Sequence, residues 1–448
     1  MRNSIRVFLL ATTGAASLSA GNIDFTSVDR MVIFGDSLSD SGNTGIVNEF
    51  YTNNSSFLTN AAYPAVPGYT QFPDGAFNDF NQDYRFTNGD MWWEFLANDI
   101  QSNVNSNFNT HIRRALPYNP FGDAGDGFYT LQSDVLEASN NSPHDWRGEV
   151  DASHGQNWAW GGARVAVDAK VTDSGFEGHF QAPDTYLLPS VKSQITNFQN
   201  AGQSIDDSDV VFLWSGANDY FLYNAATSPI GKLASFFKNF DGDTNNLPAD
   251  LGTTTAQAQL DNVNRLISPV ESGGLGVTNL MVMNLPDLSK TPAAINGEFN
   301  NFSLQPGDFT EQFNTTLEAG IAAINALGVN ISFIDIEEAL NNIIEDPAGY
   351  GFDVSLLYGG DGEYDPQSVF HNLEGEYNTI AGIDDYHNGF ASWLFWDHVH
   401  PTQAAHRALS NYIFANAVVP EPRDYALIAG VLGLAAVVAS RRRKLKRG

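Results

Sequence analysis

Met31-Val32-Ile33-Phe34-Gly35-Asp36-Ser37-Leu38-Ser39-Asp40-Ser41-Gly42-Asn43 runs a buried-strand pattern straight into a turn that presents a serine. Four consecutive apolar residues suit a strand covered on both faces, and Gly35 lets the chain turn sharply without a side-chain penalty. Ser37 then stands at the carboxyl end of the first strand, the end at which open α/β sheets bind ligands. Far along the chain, Asp397-His398-Val399-His400-Pro401 offers a partner. An Asp three residues before a His on one short loop reaches the imidazole and holds its tautomer, and that imidazole can take the serine proton. Spacing selects Asp397 with His400: His398 has only a chain neighbour as partner, and His406 lies farther on. Ser39 and Ser41 compete locally with Ser37 but are off the strand end. A serine after a strand is also a common helix N-cap. The distant Asp-x-x-His is what tips the reading toward serine-based hydrolysis.

Outward from this stretch, apolar β-rich runs alternate with helical patterns, which marks a doubly wound architecture. Strands are expected at Arg30–Phe34, Val210–Ser215, Leu280–Leu285 and Ile331–Ile336, with a shorter one near Gln156–Trp160. Helices are expected at Leu187–Ala201, Thr254–Glu271, Phe309–Leu327 and Thr402–Ala417, the last with Pro401 placed to open it. Five parallel strands with flanking helices predict an α/β fold, a flavodoxin-like three-layer α/β/α sandwich. One domain over 21–419 is expected, with insertions at about 44–150 and 341–392. The first is rich in Asn, Asp, Phe, Tyr, Pro and Gly with little periodicity apart from Asp90–Asn98, the second is rich in Gly, Asp and Tyr, and long loops in such domains are often lids or binding walls.

Three further blocks join the first. They are Asn157-Trp158-Ala159-Trp160-Gly161-Gly162-Ala163, then Gly216-Ala217-Asn218-Asp219, then Asp397-x-x-His400. In that order, across residues 31–414, the chain resembles the GDSL, or SGNH, family of esterases and lipases. Arg85-Phe86-Thr87-Asn88-Gly89 followed by Met91-Trp92-Trp93-Glu94 is similar to a segment of the longer members. The resemblance implies the SGNH hydrolase fold, with Ser37 as nucleophile, His400 as base and Asp397 as its orienting carboxylate. It also implies three donors for the oxyanion: the Ser37 backbone N–H, a backbone N–H of the Gly161-Gly162 pair, and the Asn218 side-chain amide. Gly162 is favoured, with Gly161 left open. Negative charge on the attacked carbonyl oxygen needs such donors, and a bare glycine backbone lets substrate come close. Asp36 and Asp219 are read as braces of their loops. The family spans lipid and carbohydrate esters, and no cofactor or metal is implied.

Composition bounds the rest. The absence of cysteine excludes a thiolate nucleophile, thiolate metal sites and disulfides. Residues 1–20 carry Arg2 and Arg6, then an apolar run and small residues, the pattern of a secretory signal peptide, against an amphipathic first helix as the alternative. In the 420–448 tail, Pro420-Glu421-Pro422 precedes an apolar stretch, 425–440, and a run of arginines and lysines. This tail resembles the PEP-CTERM sorting signal, which implies an exosortase-type processing enzyme as partner and export in a Gram-negative bacterium. A plain C-terminal anchor is the alternative, and either reading puts the body of the protein outside the cytoplasm, at the cell surface, outer membrane or extracellular matrix. Removing two basic residues at the start, and seven basic and two acidic at the end, leaves residues 21–420 with 13 basic and 50 acidic side chains, a formal net of −37. Such a field repels nucleic acid.

Other chemistries lack their motifs. There is no Gly-x-Ser-x-Gly elbow, no His-Glu-x-x-His and no phosphate-binding P-loop. Asp241-Gly242-Asp243-Thr244-Asn245 begins like a calcium loop, but Asn246 stands where the loop needs Gly. Trp92, Trp93, Trp158, Trp160, Trp393 and Trp396 lie near the blocks, with core packing as their default role. The expected activity is an exported serine esterase or lipase acting on carboxylic esters. The alternatives are an O-deacetylase of extracellular polysaccharide and a non-catalytic surface binding module.

Overall fold

Period-two alternation sorts the strand residues into two apolar sets, and each set meets its own layer of helices. Val32, Phe34, Val211, Leu213, Leu280 and Val282 share one core. Met31, Ile33, Val210, Phe212, Trp214, Met281 and Met283 share the other. The computed structural model describes residues 23–41, 43, 86–87, 89–114, 155–172, 185–221, 247–369 and 390–418. The proposed signal peptide, the tail, the Asp241–Asn245 loop, Arg85 and Asn88 lie outside the described residues.

In chain order the elements are β1 (Arg30–Gly35), α1 (Trp92–Asn103), β2 (Ile112–Arg114), β3 (Gly155–Asn157), β4 (Ala169–Thr172) and β5 (Thr185–Leu188). Next come α2 (Val191–Asn200), β6 (Asp209–Trp214), α3 (Ala217–Phe221), α4 (Leu251–Ile267), β7 (Leu280–Met283) and α5 (Pro306–Asn325). The series closes with β8 (Ile331–Ile334), α6 (Ile336–Glu345) and α7 (Gln403–Ile413). The main sheet runs β2-β3-β1-β6-β7-β8. Every pairing in it is parallel. Helices α2, α4 and α5 cover the first face. Helices α1, α6 and α7 cover the second. The five strands β3-β1-β6-β7-β8 are the expected three-layer sandwich, and β2 adds a sixth at the edge from within the 44–150 stretch. A small antiparallel pair, β4 with β5, stands apart from the main sheet.

Register at the centre is fixed by charge as well as by packing. Arg30 and Asp209 are paired residues of β1 and β6. Their buried side chains form an ion pair that includes a 2.8 Å bond from Nη2 to Oδ2. Removing either partner would strand an uncompensated buried charge. The pair marks the amino end of the strands, so the carboxyl end is free for the turns that follow β1 and β6. Chain order reverses direction between these two strands, which is the switch point where such sheets place ligands.

Several local expectations change. Ile336, expected in the fourth strand, opens α6 behind an Asp335 cap, and the helix expected to reach Glu271 ends at Ile267. Pro401 does not open the last helix: Thr402 is its N-cap, with the hydroxyl accepting the Ala405 N–H, because Pro401 is held one residue earlier, bridged to Phe395. Leu187 and Leu188 belong to β5, and the helix that follows starts at Val191 behind a Ser190 cap.

Candidate active site

The turn after β1 is held by side chains from distant parts of the chain. Asp40 accepts the Asn43 N–H at 2.6 Å and the Gly161 N–H at 2.7 Å. Asn43 donates to the Ala159 carbonyl at 2.8 Å, and Asn157 donates to the Ser39 carbonyl at 2.7 Å. The indoles of Trp92 and Trp93, opening α1, donate to the carbonyls of Leu38 and Ser39. Gln194 of α2 brackets Gly35, accepting its N–H at 3.0 Å and donating to its carbonyl at 2.8 Å. Gly35 is therefore required by close approach rather than by a sharp turn: a Cβ there would lie 2.5 Å from the Trp214 carbonyl. All these residues but the half-buried Leu38 are buried, and buried polar groups need partners.

The second contributor is the loop at 397–400. Asp397 is fully buried, and its Oδ1 accepts the N–H groups of Val399 at 2.8 Å and His400 at 2.7 Å. Its Oδ2 is 2.7 Å from His400 Nδ1, and His400 Nε2 is 2.7 Å from Ser37 Oγ. A carboxylate can only accept, so Nδ1 carries the hydrogen and Nε2 faces the hydroxyl as an acceptor. Burial by itself would raise the Asp397 carboxyl. The His400 charge, its side-chain bond and the two backbone donors outweigh burial, so the group lies below the ordinary carboxylate range. Ser37 and His400 are 7% and 6% exposed, so the pair is largely shielded from water.

Asn218 lies in the first turn of α3 just past the end of β6, and its amide donates to the Ala163 carbonyl at 3.1 Å, while its second amide hydrogen has no partner among the described residues. The Gly161 N–H is committed to Asp40. Gly162 follows it in a left-handed conformation with φ 78°, and its N–H has no partner among the described residues. Asp219 accepts the Val165 N–H at 2.8 Å and Asp36 the Leu38 N–H at 3.1 Å, so each fastens its own turn or a neighbouring one. Burial pushes the Asp36 carboxyl up to about 7, with the Leu38 N–H and the His400 charge opposing and the Asp219 charge adding to the rise. Burial likewise pushes Asp219 up to about 6.

The competing histidines stand elsewhere. His398 is paired with Glu298. Burial lowers its affinity for a proton, but the Glu298 bond and charge, with the Asp397 charge, hold it above the ordinary histidine range. His406 is buried within α7. Trp92, Trp93, Trp158, Trp160 and Trp396 are core residues. Sequence alone does not single out Asp40, Asn43 or Gln194; Asp40 and Asn43 carry the one available signal, as polar residues within an apolar-flanked block.

A parallel α/β sheet with a serine, a histidine and an aspartate in hydrogen-bonded series at its carboxyl edge has the layout of a hydrolase. The model of the GDSL-like lipase/acylhydrolase family matches residues 31–413, and the chain belongs to that family. It is similar to a GDSL esterase/lipase of Arabidopsis thaliana, 24% identical over 331 residues, 66% of this chain and 88% of the relative. It is also similar to a phosphatidylcholine-sterol acyltransferase of Aeromonas hydrophila, 23% identical over 253 residues, 51% of this chain and 66% of the relative.

Proposed function

We propose that the protein is an exported serine esterase that cleaves carboxylic esters through an acyl-enzyme intermediate. Ser37 Oγ attacks the ester carbonyl while His400 Nε2 takes its proton. His400 then gives that proton to the departing alcohol oxygen. Water, deprotonated by the same nitrogen, attacks the acyl-serine carbonyl; the bond to Ser37 Oγ breaks, the acid leaves, and Nε2 returns its proton to Ser37 Oγ. Asp397 keeps the imidazole in the required tautomer and faces the imidazolium that forms midway. The oxyanion is met by the Ser37 N–H, the Gly162 N–H and the Asn218 amide. Gly162 is preferred to Gly161 because Asp40 already holds the Gly161 N–H. The observation that carries this reading is the single imidazole bridging Ser37 Oγ and Asp397 at 2.7 Å on each side.

The substrate is assigned only as an ester of a lipid or of an acylated carbohydrate. Similarity to an esterase/lipase and to an acyltransferase named for a phospholipid favours lipid esters. The sorting-like tail, with its exosortase-type partner, favours an acylated polymer. Assay of the full-length protein on p-nitrophenyl esters from acetate to palmitate, beside Ser37→Ala, tests the mechanism and ranks the acyl groups. Turnover should fall by about 10³-fold or more in the variant. A variant as active as its parent sinks the assignment. Export is checked separately by fractionating the producing cells and weighing the protein: a chain that starts near residue 21 outside the cytoplasm agrees with it, and a chain retaining Met1 inside the cytoplasm contradicts it.

A further inference from the structure

Phe86 lies outside the serine–histidine–aspartate series and makes no hydrogen bond through its side chain, yet it touches two parts of the site. Its ring centroid is 5.0 Å from that of His400, with the planes 36° apart. On another side it occupies the space above Gly161, where a Cβ would lie 2.1 Å from Phe86 Cε2 and 2.4 Å from Cζ. Both neighbours are constrained. The Gly161 backbone is tied to the buried Asp40 carboxylate, and the His400 ring is tied at both nitrogens. Phe86 is itself buried, so its ring has little room to swing away.

We propose that Phe86 is a positioning residue that clamps the catalytic imidazole against Ser37 and that position 161 is glycine to make room for this ring. The proposal rests on the serine-hydrolase reading above. Its physical basis is twofold. An aromatic face within about 6 Å of a cation attracts it, so the ring favours the imidazolium present midway through each proton transfer. The ring also blocks rotation of His400 about its side-chain torsions, which would break the bond to Ser37, and geometric slippage of a base is costly in rate. Ground-state binding of substrate needs neither effect, so the clamp should act on kcat and leave KM nearly unchanged.

The test is steady-state kinetics of the full-length protein on p-nitrophenyl butyrate. Phe86→Leu should lower kcat about tenfold with KM within about twofold. Gly161→Ala should lower kcat by about 100-fold, because its methyl group displaces the ring. Leucine lacks the two atoms that the methyl group would strike. The double variant, Gly161→Ala with Phe86→Leu, should therefore recover to within about threefold of Phe86→Leu alone, a large departure from additivity. Phe86→Met carries the same test if the leucine variant loses its circular-dichroism spectrum. Two results would overturn the proposal: unchanged kcat in both Phe86 variants, or a double variant as slow as Gly161→Ala. In the second case glycine serves substrate approach and not the ring. Ser37→Ala in the same assay separates the two failures, since turnover surviving there defeats the serine mechanism itself.

Discussion

The turn that carries Ser37 and the loop that carries His400 reach the same point by opposite means. The serine turn is held from afar: Asp40 reaches the Gly161 backbone, Asn157 reaches Ser39, and Trp92 and Trp93 of α1 cap the carbonyls of Leu38 and Ser39. The histidine loop is fastened mainly from within, with His398 tied outward, to Glu298 and to the Ala293 N–H. Asp397 fastens the N–H groups two and three residues on and the imidazole of the same segment, and Thr402 starts α7 immediately behind it. A nucleophile must be placed against groups on β3 and β6, so its support is spread over the sheet. The base and its orienting carboxylate are bonded to each other within four residues, while remote groups, Glu298 and the Ala293 N–H, hold the neighbouring His398.

Breaking the local pair should have the largest effect. Asp397→Asn leaves the shape intact but lets the imidazole adopt the wrong tautomer, and kcat should drop by about 10⁴-fold in ester hydrolysis. A fall of only a few-fold would mean that the loop's bonds are structural and the base lies elsewhere. The distributed support comes next. Asp40→Ala strands the buried N–H groups of Asn43 and Gly161 at about 1–3 kcal/mol each, so urea unfolding should show a loss of about 2–6 kcal/mol, with turnover reduced as the glycine pair moves. Equal stability would show that the serine turn does not depend on this long-range staple.

Proton linkage sharpens the contrast. Folding raises the Asp36 carboxyl from its ordinary value of 3.8 to about 7, so between those limits the folded protein keeps a proton that the unfolded chain releases. The stability contributed is whole below about pH 4 and lost as pH rises through about 7. Asp36→Asn cannot ionise, so its stability relative to the parent should grow between pH 4 and pH 8, by up to about 4 kcal/mol. A constant difference across that range would contradict the burial of this carboxyl. The smallest effect belongs to the histidine loop's boundary. Thr402→Ala removes the N-cap of α7 and a 2.6 Å bond to the Trp393 carbonyl, at a cost of about 1–2 kcal/mol in thermal or urea unfolding.

The same division explains what the sequence made legible. Asp397 and His400 are readable because their interaction is local, three residues apart on one loop. The first strand and its serine are readable because Val32, Ile33 and Phe34 point alternately into two cores. Gly162 is favoured from the sequence with Gly161 left open, and what distinguishes the two, the bond from the Gly161 N–H to Asp40 across 121 residues of chain, is encoded by no spacing. The reason for Gly35 is likewise remote, since it is the Trp214 carbonyl on β6 that leaves no space for a side chain. β2 contributes three residues in an irregular stretch, too few for alternation to mark it. Pro401 misleads because proline suits a first helical turn, yet here it is bridged to Phe395 and Thr402 supplies the cap.

On the proposed mechanism Ser37, activated by His400, forms a covalent bond during turnover. The most direct measurement is mass spectrometry of the full-length protein after exposure to a serine-directed fluorophosphonate, with peptide mapping of the adduct. One equivalent bound to the peptide containing Ser37, and none in Ser37→Ala or after Asp397→Asn slows the base, is the predicted result. A folded protein that remains unlabelled, or one labelled at another residue, would contradict it.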